Sequence, residues 1–309
     1  MDQKIFDVVA LGEAMVEFNQ TLPGQAQFLQ GFGGDTSNAV IAAARAGARS
    51  AYLTRVGGDT FGHSLLQLWA QEGVNSAGVT TASASHTGIY FVTHGASGHE
   101  FHYRRDGSAA SRMTPQWLAG APAEVIRRSL FLHLSGISLA ISPGACDTAF
   151  EAMALAREAG TRVSFDSNLR LKLWPLARAQ ACTLQAVSMC DIFLPSLEDM
   201  VALTGLSDPD SIVDWGHAHG APVVVLKLGP DGALVSNGQQ REHLQARNVT
   251  VRDATGAGDC FCGNLLARLA QGDDLFRAAC YANAAAGLSV QGFGAVKPMP
   301  RSHSVFSIL

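Results

Sequence analysis

Short apolar runs alternate with longer helix-like segments over most of the chain, as in proteins built from strands and helices in turn. Near the start, an apolar strand is predicted at residues 5–11, an alanine-rich helix at 36–46, a strand at 50–56 and a helix at 61–72. The later predicted strands are 129–134, 162–166, 192–194, 223–228 and 232–236, and the later helices are 146–159, 176–187, 197–203, 211–219, 261–269 and 275–288. This alternation predicts an α/β fold: a doubly wound, mostly parallel sheet with helices on both faces.

Two regions depart from that pattern and resemble hairpins. Residues 13–32 alternate polar and apolar positions around a Pro-Gly pair. Residues 87–93 and 100–105 alternate in the same way on either side of a glycine-containing turn at 95–98, which is a hairpin signal. We expect one domain over residues 1–309, with a small β lid formed by about 13–32 and 86–112 inserted in it.

Composition and charge exclude several classes of protein. The chain has 309 residues, is 47% hydrophobic and carries a formal net charge of −4 without a run of Lys or Arg, so neither nucleic acid nor an anionic membrane is an expected partner. The N-terminus lacks a signal-peptide pattern, and the apolar runs are too short to span a bilayer. Six cysteines lack disulfide or zinc spacing, which favours a reducing cytoplasm.

A glycine-rich turn lies between a predicted strand at residues 244–251 and a helix that starts near 261. Its sequence, residues 253–259, is Asp-Ala-Thr-Gly-Ala-Gly-Asp. The small residues let backbone N–H groups at a helix start approach an anion. A carboxylate directly beyond would repel a bound phosphate, so Asp259 suits a general base better than a phosphate ligand. The turn predicts a phosphoryl-transfer centre, with Gly256, Ala257 and Gly258 holding the developing charge. The alternative is an ordinary strand–helix turn with a capping aspartate.

A second glycine motif precedes the first long helix. Residues 31–38 read Gly-Phe-Gly-Gly-Asp-Thr-Ser-Asn. The glycines allow a substrate to lie against the backbone, while Asp35 and Asn38 offer the hydrogen-bond acceptors and donors that a polyol needs. The alternative is a glycine turn with Asp35 or Thr36 as helix cap.

Together the two motifs resemble those of the ribokinase-like carbohydrate kinases, the PfkB family, and the resemblance covers nearly the whole chain. It is carried by residues 33–38, 57–62 and 253–259, in this order and with more than 200 residues between the first and the last. The resemblance implies a ribokinase-like fold with a β lid and ATP-dependent phosphorylation of a sugar hydroxyl with Mg²⁺. It also implies that Asp259 is the base and that residues 256–258 form the anion hole.

The resemblance implies further sites for the nucleotide and for ions. The implied nucleotide contacts are Asn168, Ser196, Lys227, Gly229, Gly232 and Asn283. Where many members have Asn-x-x-Glu near the metal, this chain keeps Glu198 but has Pro195 in place of the asparagine. Many members also use a monovalent cation such as K⁺ near the anion hole, and Asp253 with residues 289–294 would be the corresponding positions.

The acceptor is suggested by the lid strand. Tyr103 and Arg105 are two residues apart and so point to one face of a strand, and a guanidinium beside a phenol suits a substrate carboxylate. Within the family the pattern resembles 2-keto-3-deoxygluconate kinases, which implies transfer to the C6 hydroxyl. The residues implied around the sugar acid are Gly34, Asn38, Tyr90, Tyr103, Arg105 and Arg170. The alternative is a neutral ketose such as fructose, with Arg105 solvated and Arg170 serving only ATP.

The sequence speaks against two other functional classes, a non-catalytic sensor and an oxidoreductase. A non-catalytic sensor on the same fold has no need of the base at Asp259. A dinucleotide-dependent oxidoreductase would need Gly-x-Gly-x-x-Gly after the first strand, which residues 11–14 do not provide. The Gly-x-x-x-x-Gly-Lys-Ser/Thr loop of P-loop enzymes is missing as well. An exposed lid edge at residues 101–105 suggests a homo-oligomer paired through the lids.

Overall fold

The computed structural model describes residues 3–95 and 98–309, so that Ala96 and Ser97 of the predicted lid turn lie outside the described residues. The strands are β1 (Phe6–Leu11), β2 (Met15–Gln20), β3 (Phe28–Gly33), β4 (Ser50–Gly57), β5 (Asn75–Ala82), β6 (Ile89–Gly95), β7 (Gly98–Arg104), β8 (Ser129–Ser135), β9 (Arg162–Asp166), β10 (Ile192–Leu194), β11 (Val223–Lys227), β12 (Ala233–Ser236) and β13 (Arg241–Leu244). The helices are α1 (Asp35–Arg45), α2 (Thr60–Gln71), α3 (Pro115–Leu118), α4 (Ala121–Arg127), α5 (Gly136–Ala140), α6 (Pro143–Glu158), α7 (Leu176–Met189), α8 (Leu197–Thr204), α9 (Pro209–Ala218), α10 (Ala257–Ala270), α11 (Leu275–Ser289) and α12 (Ser302–Phe306).

A nine-stranded sheet forms the centre of the fold, in the order β13-β12-β11-β10-β9-β8-β1-β4-β5. The seven strands β11, β10, β9, β8, β1, β4 and β5 run parallel to one another. Strands β12 and β13, at one edge, are antiparallel to their neighbours. Residues Val8, Val9 and Ala10 of β1 are completely buried, because helices cover both faces of the sheet. The predicted mostly parallel, doubly wound sheet is therefore present, and its carboxyl edge is where ligands bind in such folds.

Helices α1 and α10 cross closely on one face of the sheet. A side chain at Gly263 in α10 would place its Cβ 2.0 Å from the backbone oxygen of Ala39 in α1, so only glycine allows this approach. The contact aligns the N-termini of the two helices, each of which follows one of the glycine motifs. Packing at Gly263 thus brings together two motifs that are far apart in the sequence.

The predicted lid is a separate four-stranded sheet in the order β3-β2-β6-β7. Tyr90 of β6 lies opposite Tyr103 of β7 and beside Glu17 of β2. On the other face Phe18 stacks on Phe91 and meets Phe61 of α2 edge-on, with ring centroids 5.3 and 5.7 Å away. Aromatic packing therefore attaches the lid to the core, and one face of the lid is left for polar groups.

One strand prediction is wrong, and two strands, β5 and β13, were not predicted. The predicted strand at 244–251 is wrong, since β13 ends at Leu244 and the following residues have no strand partner. Its alternating pattern belongs to a half-exposed extended segment, in which Val251 is 60% exposed. Strand β5 was not predicted, because its Ser-, Thr-, Ala- and Gly-rich sequence has little hydrophobic alternation. Within residues 3–95 and 98–309, no helix is long and apolar enough to cross a membrane.

Candidate active site

The late glycine motif forms the N-terminus of α10. Gly256 caps this helix with φ +76°, a left-handed conformation that favours glycine, and packs against Ala295. The next residues, Ala257 and Gly258, are the first of the helix. The Ala257 N–H donates a 3.2 Å turn hydrogen bond to the Ala254 backbone oxygen, whereas the Gly258 N–H lies where a helix provides no carbonyl partner one turn back. The turn therefore presents N–H groups and the positive end of the helix dipole to the carboxyl edge of the sheet.

The predicted base lies in the first turn of α10 and is half-buried. The side-chain amide of Asn38, at the start of α1, donates a hydrogen bond of 2.8 Å to Asp259 Oδ2. Burial, with the nearby Asp35 carboxylate, raises the pKa of Asp259 to about 7, and the hydrogen bond from Asn38 only partly opposes this. A carboxylate with a pKa near neutrality is well matched to accept a proton at pH 7.

This pKa predicts the pH dependence of turnover. A base must be unprotonated to accept the hydroxyl proton, and Asp259 gains its proton as the pH falls through about 7. We expect kcat/KM to fall about tenfold per pH unit below that value and to be level above it. Initial rates between pH 5.5 and 9 would measure this. A flat profile down to pH 5.5 would show that no group of this pKa is needed in its anionic form.

Asp35, the first residue of α1, is a second buried carboxylate of the site. Its Oδ2 accepts a 2.9 Å hydrogen bond from the Asn168 side chain, while its Oδ1 is buried without a hydrogen-bond partner. Burial raises the pKa of Asp35. Asn168 adopts φ +25°, and among the described residues it is the one non-glycine residue with positive φ. Such a conformation is costly outside glycine and is commonly kept at functional sites.

The end of β11 contributes a buried cation beneath the turn. Lys227 Nζ pairs with Asp166 Oδ2 of β9 at 2.6 Å, and both side chains are nearly buried. Burial opposes the charge of Lys227, but the neighbouring Asp166 outweighs it and the pKa is raised. A Cβ at Gly258 would lie 3.5 Å from Lys227 Nζ, so the ammonium group adjoins the anion turn. This places a positive charge close to where the turn would bind phosphate.

Arg105 has a partner that the sequence argument did not foresee. Its Nη2 lies 2.5 Å from Glu13 Oε2, and the two side chains are only 12% and 1% exposed. The hydroxyl of Ser108 donates a 2.5 Å hydrogen bond to the other oxygen of Glu13. The expectation of a free guanidinium aimed at a substrate carboxylate is therefore not met, since an internal carboxylate already neutralises Arg105. Glu13 could have been suspected, because it is a charged residue amid apolar positions.

Tyr90 also binds an acidic residue that was overlooked. Its hydroxyl donates a 2.5 Å hydrogen bond to Glu17 Oε2, and both residues are buried. A side chain at Gly33 would collide with the Tyr90 hydroxyl, at 2.2 Å from the added Cβ. Tyr90 is therefore in contact with the backbone of the early motif, and Tyr103 stands beside it with ring centroids 5.6 Å apart. Gly34 has φ +117° and no room for a side chain next to the Glu13 backbone.

Arg170 is the exposed cation on this side of the site. Its Nη1 donates a 2.7 Å hydrogen bond to the backbone oxygen of Leu169, and no ion pair within the described residues neutralises it. Burial raises the pKa of Tyr103, and the positive charge of Arg170 opposes that shift. The charge of Arg170 therefore acts on Tyr103, and it acts in the same way on Asp35, where it opposes the rise in pKa that burial causes.

The predicted nucleotide residues have mixed surroundings. Gly229 adopts φ +58° with open space at its Cβ position, whereas a Cβ at Gly232 would meet the Leu244 backbone oxygen at 2.0 Å. The Asn283 amide donates a 2.9 Å hydrogen bond to the backbone oxygen of Gln245, which ties down the segment after β13. The Ser196 hydroxyl accepts the hydrogen bond that caps α8. Among these four, Gly229 has open space at its Cβ position, although its positive φ and its carbonyl, which accepts a 3.2 Å hydrogen bond from the Gly232 N–H, also form the turn.

Potential metal ligands are sparse. Across residues 3–95 and 98–309, no three His, Cys, Asp or Glu side chains are grouped to hold an ion. Glu198 is exposed in the first turn of α8, while its neighbour Asp199 accepts a 2.7 Å hydrogen bond from Ser167. Such a set fits Mg²⁺, which commonly takes one or two carboxylates plus substrate phosphates and water. Asp253 accepts a 2.8 Å hydrogen bond from the Gly294 N–H, so the two segments suggested for a monovalent cation do meet.

Comparisons with known proteins agree with this geometry. The sequence matches the model of the pfkB family carbohydrate kinases over residues 6–302. The 2-dehydro-3-deoxygluconokinase of Thermoproteus tenax is 33% identical, over 97% of this chain and 93% of that protein. The probable fructokinase-4 of Arabidopsis thaliana is 31% identical, over 98% and 96%. A solved structure of a putative ribokinase II from E. coli in complex with ATP and Mg²⁺ has a TM-score of 0.89 and 25% identity, covering 97% of both chains. The ribokinase-like fold predicted from the sequence is confirmed.

Proposed function

This chain belongs to the pfkB family of carbohydrate kinases, and we propose that its acceptor is a sugar acid, 2-keto-3-deoxygluconate, phosphorylated by ATP at the terminal hydroxyl. That it is a phosphotransferase acting on a sugar follows from family membership. The acceptor and the roles of individual residues are the proposal. The observation that supports Asp259 as the base is its near-neutral pKa and its hydrogen bond from Asn38 at the N-terminus of α10. The choice of a sugar acid is supported by Arg170, an exposed cation without an ion-pair partner among the described residues.

In the proposed reaction Asp259 takes the proton of the acceptor hydroxyl. The oxygen then attacks the γ-phosphorus of ATP, the bond to the β-phosphate oxygen breaks, and ADP leaves. The N–H groups at Gly256, Ala257 and Gly258 stabilise the negative charge on the transferring group, with the ammonium of Lys227 nearby. Asn38 keeps the Asp259 carboxylate oriented, and its own oxygen, which is buried without a partner, would accept a sugar hydroxyl in a conformation of the lid that exposes it.

The carboxylate of a sugar acid would bind mainly to Arg170. Arg170 is exposed, its charge acts on Tyr103, and it has no carboxylate partner among the described residues, so it offers charge-assisted hydrogen bonds without first losing an ion pair. Asp35, whose Oδ1 is buried without a partner, would accept a hydroxyl of the same substrate in the conformation that exposes this oxygen. In this proposal one arginine, Arg170, binds the acid group, whereas the sequence analysis assigned both Arg105 and Arg170 to it.

A neutral ketose such as fructose is the second candidate. The Glu13–Arg105 pair favours it, because this pair removes one of the two positive charges that pointed to a carboxylate. The relatives named above divide between the same two acceptors at similar identity. Acceptor selectivity therefore has to be measured directly.

ATP and Mg²⁺ complete the proposed site. The nucleotide would lie near Gly229 and Asn283, and Glu198 would hold hydrated Mg²⁺, whose charge neutralises the phosphates when bound. K⁺ near Asp253 and residues 289–294 is proposed as an additional ion. The lid would exclude water, and exposed apolar lid residues such as Leu29 and Phe101 would support pairing of two copies through the lids, in the cytoplasm.

An acceptor panel tests the proposal. ADP release with Mg²⁺-ATP should be fastest with 2-keto-3-deoxygluconate, and slower with fructose, ribose and gluconate. Arg170→Ala should lower kcat/KM for the sugar acid by about 100-fold, since a charge-assisted pair is lost, and for fructose by less than about tenfold. Arg162→Ala should change neither, because this exposed arginine lies at the amino end of β9, at the opposite end of the strand from Asp166. Faster turnover of fructose, or equal losses with both acceptors, would contradict the sugar-acid assignment.

A further inference from the structure

The Glu13 carboxylate is fully enclosed next to the acceptor motif. Its side chain is 1% exposed, and its backbone oxygen would lie 2.5 Å from a Cβ at Gly34. One carboxylate oxygen receives the Ser108 hydroxyl and the other lies against Arg105. Glu13 therefore sits behind the wall that a sugar would touch, where it cannot itself reach the substrate.

The charge of this pair matters because it is buried beside the acceptor. Glu13 and Arg105 together are neutral, so a substrate carboxylate approaching Arg105 would meet a second anion held within the same ion pair. In a partly desolvated site two like charges at this range repel appreciably. A neutral polyol carries no charge and would therefore experience little of this repulsion.

We propose that Glu13 is a specificity-determining residue, an internal counter-ion of Arg105 that disfavours acidic acceptors and leaves Arg170 as the cation for a carboxylate. The inference rests on the proposed kinase reaction at this site. Arg105 then acts as a positioning residue, which holds the lid strand against the core and presents a neutral wall. Acceptor selectivity is set by the net charge of the pair together with Arg170.

The test compares acceptor selectivity, the acid-to-neutral ratio of kcat/KM, between the unsubstituted chain and its variants. For each variant, kcat/KM is measured for 2-keto-3-deoxygluconate and for fructose, and the ratio of the two values is taken, so that the fraction of active protein cancels. Glu13→Gln keeps the shape and a hydrogen-bond acceptor for Arg105 but removes the negative charge. It should raise the acid-to-neutral ratio about tenfold over the unsubstituted chain. An unchanged or lower ratio would overturn the proposal.

Two further variants keep the test decisive if Glu13→Gln folds poorly. Arg105→Met strands the Glu13 charge and should lower the ratio. The double variant Glu13→Gln/Arg105→Met removes both charges and should return the ratio to within about threefold of its original value. If Arg105 instead read the carboxylate directly, the double variant would keep the low ratio of Arg105→Met, and the proposal would be wrong.

A matched control is present elsewhere in the chain. Glu72 is also a poorly exposed carboxylate paired with an arginine, Arg45, at 2.7 Å, but it lies at the end of α2, and Arg45 is at the opposite end of α1 from the acceptor motif. Glu72→Gln should leave the ratio unchanged even if it destabilises the fold. Preference of the unsubstituted chain for fructose would refute the sugar-acid acceptor and leave the Glu13 inference intact, because the latter depends only on how the ratio moves.

Discussion

Replacing Asp259 with asparagine should lower kcat by about a thousandfold or more while KM for ATP and sugar changes less than about threefold. The substitution keeps the size of the side chain and a partner for Asn38, but an amide cannot take the hydroxyl proton. Steady-state kinetics with the preferred acceptor would measure both constants. In this variant the fall in rate below pH 7 should also vanish.

The same chemical change at a remote aspartate controls for this result. Asp208 is an exposed residue that caps α9 through the Ser211 N–H. Asp208→Asn should leave kcat unchanged, since it keeps a side-chain acceptor at the cap and lies far from the glycine motifs. A kcat for Asp259→Asn within tenfold of the original value would remove Asp259 from the proposed role of base.

Replacing Lys227 with methionine should destabilise the fold by about 3–5 kcal/mol, because Asp166 would remain as a buried charge without its partner. The change in the free energy of unfolding can be measured by urea titration. Arg241 provides the control, since it pairs with Asp210 and Asp214 at the surface. Arg241→Met should cost less than about 1 kcal/mol. Equal losses in the two variants would show that the Lys227–Asp166 pair is not effectively buried.

The sequence was sufficient to predict the α/β architecture and the position of the two glycine motifs at the starts of helices. Both depend on local rules: strands and helices follow from hydrophobic period, and Gly34 and Gly256 are required where φ is positive. The carboxyl ends of parallel strands share one sheet edge, so the approach of the motifs could also be expected. The close approach itself depends on Gly263, which carries no motif and was not recognised.

The pairing of charges could not be predicted in the same way. Arg105 was expected to face the substrate because a strand through residue 105 would place it on the same face as Tyr103. In the structure β7 ends one residue before Arg105, and Arg105 pairs with Glu13, which lies 92 residues earlier in the chain. Likewise, Asn168 was assigned to ATP, while in the structure its amide holds Asp35 of the acceptor motif. Tertiary packing decides which buried charged side chains form a pair, and the hydrophobic periodicity of the sequence carries no information about this pairing.

Identifying the reaction product is the most direct test of the central claim, that phosphate is transferred from ATP to a sugar hydroxyl at Asp259. Equimolar 2-keto-3-deoxygluconate and Mg²⁺-ATP should yield one sugar 6-phosphate for each ADP, as quantified by ³¹P NMR and mass spectrometry, with no phosphate released. Formation of inorganic phosphate without a phosphorylated sugar, or ADP release that does not depend on the acceptor, would contradict transfer to a sugar hydroxyl at Asp259.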